Sequence, residues 1–293
     1  MRQQNISQAK RRAPMFCVAL ALIAFASTAA AAPGPRELRV CADPDNLPFS
    51  NERLEGFENK IATLLAEDLN ATLRYTWHSQ RRGFIRGTLT ARACDVVIGV
   101  PSGYDAVLSS KPYYRSSYVF VYRKNKGLKL GSFDDPVLRE LKIGLHAFGN
   151  EGANAPPAHA LARRGLSGNV IGFTLLNTAE NPPGKIIDAV AAGEIDVAIV
   201  WGPFAGYFCQ RQPVVMEIVA VPPNTDDASV PFAYDMALAV RRGEDAFKEE
   251  IDGVLERRRS DIQKILQAYG IPLVEATTLS YPQGRRYALH EPT

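Results

Sequence analysis

The sequence predicts an α/β protein built as two lobes, each a mostly parallel sheet flanked by helices, with the chain crossing twice between them. Three observations carry this. Residues 38–100 read as strand, helix, strand, helix, strand. Residues 142–221 read as a second α/β unit. Residues 234–240 read as one more strand, followed by two helices, which fits a return of the chain to the first lobe. A β-α-β order implies right-handed crossovers and a parallel sheet in each unit.

The chain opens with Lys10, Arg11 and Arg12 before an apolar stretch from Ala13 to Phe25 and a small-residue tract from Ala26 to Ala32. This is the pattern of a cleavable secretory signal over residues 1–32, with cleavage after Ala30 or Ala32. The apolar stretch is short for a membrane anchor, which needs ~20 residues. Without the leader, 30 basic side chains face 31 acidic ones, a net charge of −1. The basic excess of the full chain therefore belongs to the leader, and nothing suggests a nucleic-acid surface, which needs clustered basic residues. The remaining 261 residues suffice for two cores and hold no second membrane-length apolar run.

After a short linker, Leu38 to Ala42 reads as a buried strand, ended by a loop with Pro44, Asn46 and Pro48. Phe57, Ile61, Leu64, Leu65 and Leu69 recur at helical spacing within 56–70. Residues 71–77 alternate as a strand, and a helix is expected over Phe84 to Arg92. Asp95 to Val100 is the continuous apolar run of a parallel strand covered on both faces. Tyr118 to Tyr122 is a further strand, and polar Arg123 to Lys126 is read as the crossing. The second lobe then spans 123–223, with strands at 142–145, 170–173, 197–201 and 215–221 and helices near 158–164 and 184–192. The first lobe comprises 36–122 and 224–276. In the last helix, Ser260 and Gln263 have capping-box spacing and Gly270 is the stop. A polar tail follows over 277–293.

Motifs for catalysis are absent. The four histidines are far apart in sequence, and neither a metalloprotease helix motif, a nucleophile elbow, a P-loop nor a dinucleotide fingerprint occurs. No catalytic residue, metal ligand or cofactor is expected. Ligands of open α/β sheets collect outside the carboxyl ends of the strands. That places Asp43, Asp45, Asn46 and Phe49 at the mouth, with Trp77, Pro101 and Tyr104 at later strand ends. Asp43 and Asp45 are close enough to share a cation or accept donors from a partner, or they simply make the turn. Tyr113 and Arg115 precede the strand into the crossing, and Tyr113 suits either a cleft or lobe packing. Trp201 ends a strand of the second lobe facing the same crevice. Arg81 and Arg82 sit before a helix whose dipole they oppose, so helix stability does not explain them, whereas an acidic partner or a salt bridge would.

Three cysteines remain after the leader. Cys41 lies in the first strand and Cys94 just before the third. If those strands are neighbours, a Cys41–Cys94 bridge meets the geometric requirement, and Cys209 is left as a buried free thiol.

The order of elements resembles the type II periplasmic binding protein fold. Gly56-Phe57, residues 95–99 and 111–114, and in the second lobe 142–144 and 193–198, are similar to landmarks of amino-acid receptors. Those receptors carry an arginine for the ligand carboxylate where this chain has Gly103, and an aspartate for the amino group where it has Trp201. An indole cannot face an ammonium in place of a carboxylate, so free amino acids are not expected ligands. The strings 40–51, 80–86, 94–101 and 160–166 resemble more closely the quinoprotein-dehydrogenase-associated binding proteins of the MoxJ/XoxJ type. The resemblance implies a periplasmic monomer whose cleft binds a PQQ-dependent alcohol (methanol-type) dehydrogenase and assists its activation or maturation, with the c-type cytochrome of that system as a further partner. The alternative is an ABC-importer binding protein for a small organic solute other than a free amino acid.

Overall fold

The computed structural model describes residues 36–148, 153–174, 184–227 and 229–275. The expected secretory leader and the polar tail lie outside them. The strands are β1 (Glu37–Ala42), β2 (Asp45–Asn46), β3 (Ser50–Asn51), β4 (Thr72–Trp77), β5 (Val96–Pro101), β6 (Leu108–Ser109), β7 (Tyr114–Arg123), β8 (Ile143–Phe148), β9 (Ala153–Asn154), β10 (Val170–Thr174), β11 (Val197–Trp201), β12 (Met216–Ala220) and β13 (Ala233–Val240). The helices are α1 (Phe57–Asp68), α2 (Pro156–Arg163), α3 (Lys185–Ala192), α4 (Gly202–Cys209), α5 (Asp245–Arg257) and α6 (Arg259–Ala268). Among the described residues no helix is long and apolar enough to cross a membrane.

The strands form one sheet path, β10-β8-β11-β7-β13-β5-β1-β4. In the first lobe, β1 lies parallel between β4 and β5. Each of these strands is followed by a connection that returns it in the same direction. In the second lobe, β8 lies parallel between β10 and β11. The long strand β7 belongs to both halves. Its residues Tyr114 to Ser117 pair antiparallel with β13. Its residues Tyr118 to Arg123 pair with β11 on one side and β12 on the other.

That pairing corrects the expected crossing. The chain changes partners between Ser117 and Tyr118, inside the strand, and not at Arg123 to Lys126. A β-strand can serve two sheet halves without a break, so no turn or polar stretch marks the passage. The Ser260 capping box is also corrected. Arg258 is the N-cap of α6 and no side chain caps it, because α5 runs almost directly into α6 and Ser260 already lies inside the helix. Gly270 does end that helix, in the left-handed region at φ 65°. The helix expected over Phe84 to Arg92 is a short turn that widens to π geometry at Arg86–Thr90.

Each lobe has its own core. Under α1, α5 and α6 the first lobe buries Phe57, Ile61, Leu65, Ile98, Leu238, Ile251 and Leu266. The helical spacing of Phe57, Ile61 and Leu65 turns that face of α1 onto the sheet. On the opposite face of the same sheet, Phe84, Leu89, Val97 and Val107 pack around Cys41 and Cys94. Those cysteines are bridged, with Cα atoms 5.5 Å apart, as β1 and β5 are neighbours. Below them Asp95 receives Arg39 at 2.6 Å and Arg241 at 3.0 Å. In the second lobe one face buries Phe120, Ile143, Leu161 and Ile199, and the other Val119, Ile187, Val200 and Phe204.

Candidate functional site

The two lobes meet where β11 ends beside β7. Trp201, the last residue of β11, pairs with Tyr118. Its indole sits edge-on between Tyr118 at 5.5 Å and Tyr234 at 5.8 Å. Although carried by the second lobe, it packs against the core of the first. Edge-to-face aromatic pairs at these separations add ~0.5–1.5 kcal/mol each beyond buried area. The chain then turns at once into α4. Gly202 is required there: a Cβ on it would lie 2.5 Å from Ser116 Oγ and 2.8 Å from the Ser117 carbonyl. Pro203 suits the first turn, where its missing N–H costs nothing.

A strap from the end of α6 crosses the same junction. A Cβ on Gly206 of α4 would meet the Gly270 carbonyl at 2.0 Å, so helix and strap touch backbone to backbone. Tyr207 stacks on Tyr269 with centroids 5.7 Å apart, and the Arg211 guanidinium covers the Tyr207 ring at 3.4 Å. The Tyr269 hydroxyl donates to the Glu55 carbonyl ahead of α1. Ser116 Oγ donates to the Pro272 carbonyl at 2.6 Å, and the Val274 N–H donates to the Arg115 carbonyl. The strap thus joins α1, α4 and the shared strand β7.

Two charged groups of the junction neutralise each other. Arg115 on β7 and Asp235 on β13 are register partners and form an ion pair at 2.8 Å. An arginine and a carboxylate do converge, but on each other, not apart as a zwitterion would need. At Gly103 φ is +80° and nothing lies within 4 Å of a Cβ position.

Beneath this junction lies an acid that the sequence reading missed. Glu58, in the first turn of α1, is buried, and burial pushes its carboxyl well above the usual range. Burial also raises the Tyr113 and Tyr114 phenols, with the Glu58 charge adding to each. The Tyr113 hydroxyl and Asn59 Nδ2 are buried without a hydrogen-bond partner among the described residues. A cavity of about 10 Å³, the room of one water, is bounded by Glu58, Asn59, Tyr75 and Ser50 among others. An acidic residue near a helix start ordinarily signals only favourable dipole placement, so no sequence cue separated Glu58 from an exposed one.

The other expected site residues divide among different places. Asp43 is a clamp: Oδ1 accepts from the Asp45 N–H at 2.9 Å, and Oδ2 from the Gln80 N–H at 2.6 Å. Asn46 Nδ2 donates to Gln80 Oε1 at 3.0 Å. Phe49 packs on Phe57 with centroids 5.4 Å apart. Trp77 stacks on Tyr75 at 4.5 Å. Pro101 is exposed at the end of β5, in register with Met236. Tyr104 packs on the opposite face of the sheet, beside the disulfide core. Phe49, Tyr113 and Trp201 therefore border one core, while Asp43 and Asn46 meet at Gln80 and Tyr104 lies apart. Tyr118, Tyr234, Asp235, Tyr207 and Tyr269 were not anticipated. Cys209 is a free thiol, pushed by burial up to about 12. Among the described residues no group of histidine, cysteine and acidic side chains is arranged to hold a metal.

With this geometry in view, comparison with known proteins gives a consistent picture. The profile of the bacterial extracellular solute-binding proteins, family 3, matches residues 38–271. Protein MoxJ of Methylorubrum extorquens is 32% identical over 259 residues, which are 84% of this chain and 84% of that protein. The periplasmic binding protein XoxJ from Methylobacterium extorquens AM1 superposes with a TM-score of 0.67 at 34% identity, over 82% of this chain and all of that one. MxaJ from Methlophaga aminisulfidivorans MPT superposes with a TM-score of 0.71 at 28% identity, over 81% of this chain and all of that one.

Proposed function

The chain belongs to the bacterial extracellular solute-binding proteins of family 3, and we propose that within that family it is a periplasmic accessory protein of a PQQ-dependent, methanol-type alcohol dehydrogenase. It binds the dehydrogenase through the inter-lobe face and assists its activation or maturation. It acts as a binding protein and not as an enzyme.

The observation that carries this reading is Trp201. It stands at the strand end where amino-acid receptors hold the ligand's ammonium, and here it is wedged between Tyr118 and Tyr234 against the core of the other lobe. Arg115 is committed to Asp235, so among the described residues this pair is not free to hold a small zwitterion. An aromatic, nearly neutral surface of this kind suits the apolar anchors of a protein segment. The similarity to MoxJ and XoxJ supports the same partner class. Phe49, Tyr113 and Trp201 are the proposed contact residues. Pull-down of the mature protein with the purified dehydrogenase, together with dye-linked activity, tests the reading. A complex and raised activity are expected; no complex and unchanged activity would remove it.

Family membership itself favours a second reading, a receptor that delivers a small organic solute to an importer. A thermal-shift screen separates the two, since a ligand at 100 times its dissociation constant adds ~2.7 kcal/mol. A clear shift with a single metabolite supports the importer.

A further inference from the structure

The residues expected to grip a ligand at Asp43 and Asn46 instead hold a loop, and the loop carries arginines. Residues 78–86 leave β4 at the carboxyl end of the sheet, on the ligand side of an α/β fold. Asp43 and Asn46 fix Gln80 from one side. Phe84 anchors the loop from below, 5% exposed in the core around the Cys41–Cys94 bridge, with His78 edge-on to it at 6.0 Å. Backbone bonds from Arg81 N–H to the Ser79 carbonyl and from Phe84 N–H to the Arg81 carbonyl close the turn. The loop is thus held on three sides before any partner arrives.

At Arg81 and Arg86 it presents positive charge with no carboxylate beside it among the described residues. Many exposed arginines of this chain are neutralised at home: Arg36 by Glu250, Arg53 by Glu55, Arg74 by Glu37, Arg257 and Arg258 by Asp68. The guanidiniums of Arg81 and Arg86 are exposed and have no carboxylate partner among the described residues. Neither stabilises the fold by packing or pairing, and Trp77 stands at the start of the same loop. Arginine on a loop that is already held in place suits a binding hot spot, because its planar guanidinium loses little freedom on pairing.

We infer that the Arg81–Arg86 loop is a docking surface for carboxylate side chains of a protein partner. The inference rests on the accessory-protein reading and adds where the partner's acidic residues engage. The complementary charge is a carboxylate, which an arginine holds through two parallel hydrogen bonds.

The test measures binding of the mature protein and of the Arg81→Glu/Arg86→Glu variant to immobilised dehydrogenase, to immobilised poly-L-glutamate and to phosphatidylglycerol vesicles, each at 50 and 200 mM NaCl. Both residues are exposed, so the melting temperature of the variant should match that of the parent, and an Arg81→Lys/Arg86→Lys variant serves as the charge-preserving control. Expected are binding of the parent to the dehydrogenase and to poly-L-glutamate, weakened by salt, and a loss of about tenfold at 50 mM NaCl with a flatter salt dependence in the reversal variant. Equal affinity and equal salt dependence of parent and reversal variant on both proteinaceous surfaces would overturn the inference. So would preferential binding to the vesicles. Binding to poly-L-glutamate that the reversal abolishes, with no binding to the dehydrogenase, would support the docking surface while removing the dehydrogenase as its partner.

Discussion

The carboxyl of Glu58 occupies the space that a side chain at residue 99 would need: a Cβ on Gly99 would lie 1.9 Å from Glu58 Oε1. The sheet is adapted to this. Gly99 has φ +80°, and the register of β5 against β13 shifts between Ala237 and Leu238, so Gly99 is the extra residue of a β-bulge. The bulge and the buried acid are one feature, contributed by a strand and a helix that are distant in sequence. Gly99→Ala should therefore lose about 3 kcal/mol, combining left-handed backbone strain with overpacking. Urea unfolding with an unchanged slope and a lowered midpoint is the expected result; a free-energy loss below about 0.5 kcal/mol would contradict the placement of Glu58.

Glu58 also sets a pH dependence. Its folded value is raised above the ordinary 4.5, because burial disfavours the charged form. The native state therefore holds this proton more tightly than the unfolded chain does. The contribution is fully present below the unfolded value and is lost as pH rises from there through the folded value. Glu58→Gln removes the titration. The variant should gain stability relative to the parent as pH goes from 4 towards 8, with the two converging at the acid end. Parallel stability curves for parent and variant over that range would show that Glu58 is not buried as described.

The Cys41–Cys94 bridge closes a loop with a sequence separation of 53 and ties β1 to β5 beneath the arginine loop. Chain entropy alone assigns such a closure ~4 kcal/mol, and removal of native bridges costs ~2–5 kcal/mol. Cys41→Ala/Cys94→Ala should lower stability by about 3 kcal/mol. Cys209→Ala should leave the bridge and its reductant sensitivity intact, since that thiol has no disulfide partner among the described residues. Thermal melts with and without dithiothreitol distinguish these outcomes: loss of the reductant effect in Cys209→Ala would mean that the wrong cysteines are paired.

The parts of this fold that follow from local rules were legible in the sequence. The period of Phe57, Ile61 and Leu65 gave α1, the apolar run at 96–100 gave β5, and the proximity of their strands gave the disulfide pair. That Trp201 ends a strand was legible too, and the structure places it as the last residue of β11. The crossing inside β7 was not legible, because Ser117 and Tyr118 have ordinary strand character and differ only in their distant partners. Asp43 was read as open between ligand and turn; its Gln80 contact joins residues 37 apart in sequence, which no periodicity reports. Glu58 and the strap escaped for the same reason, since burial of an acid and contact between two glycines are properties of assembly.

The strap makes the last prediction. Gly206 and Gly270 approach through bare backbone, and Tyr207 with Tyr269 stack beside them, so the second-lobe helix α4 is held to the first lobe by the chain's own C-terminal segment. A Cβ at Gly206 meets a carbonyl, which cannot rotate away as a flexible side chain does. Gly206→Ala must therefore push α4 off the strap and should cost about 2–3 kcal/mol, against ~1 kcal/mol for Tyr269→Phe, which removes only the hydroxyl bond to Glu55. Because both changes loosen the same strap, through neighbouring contacts, the double variant should lose less than the two singles combined. Hydrogen exchange gives the independent reading: amides of α4 and of 269–274 should exchange faster in Gly206→Ala, while those of β1 and β5 should not. Additive losses, with exchange unchanged at the strap, would mean that α4 and the C-terminal segment are not coupled and that the lobes are free to separate at this junction.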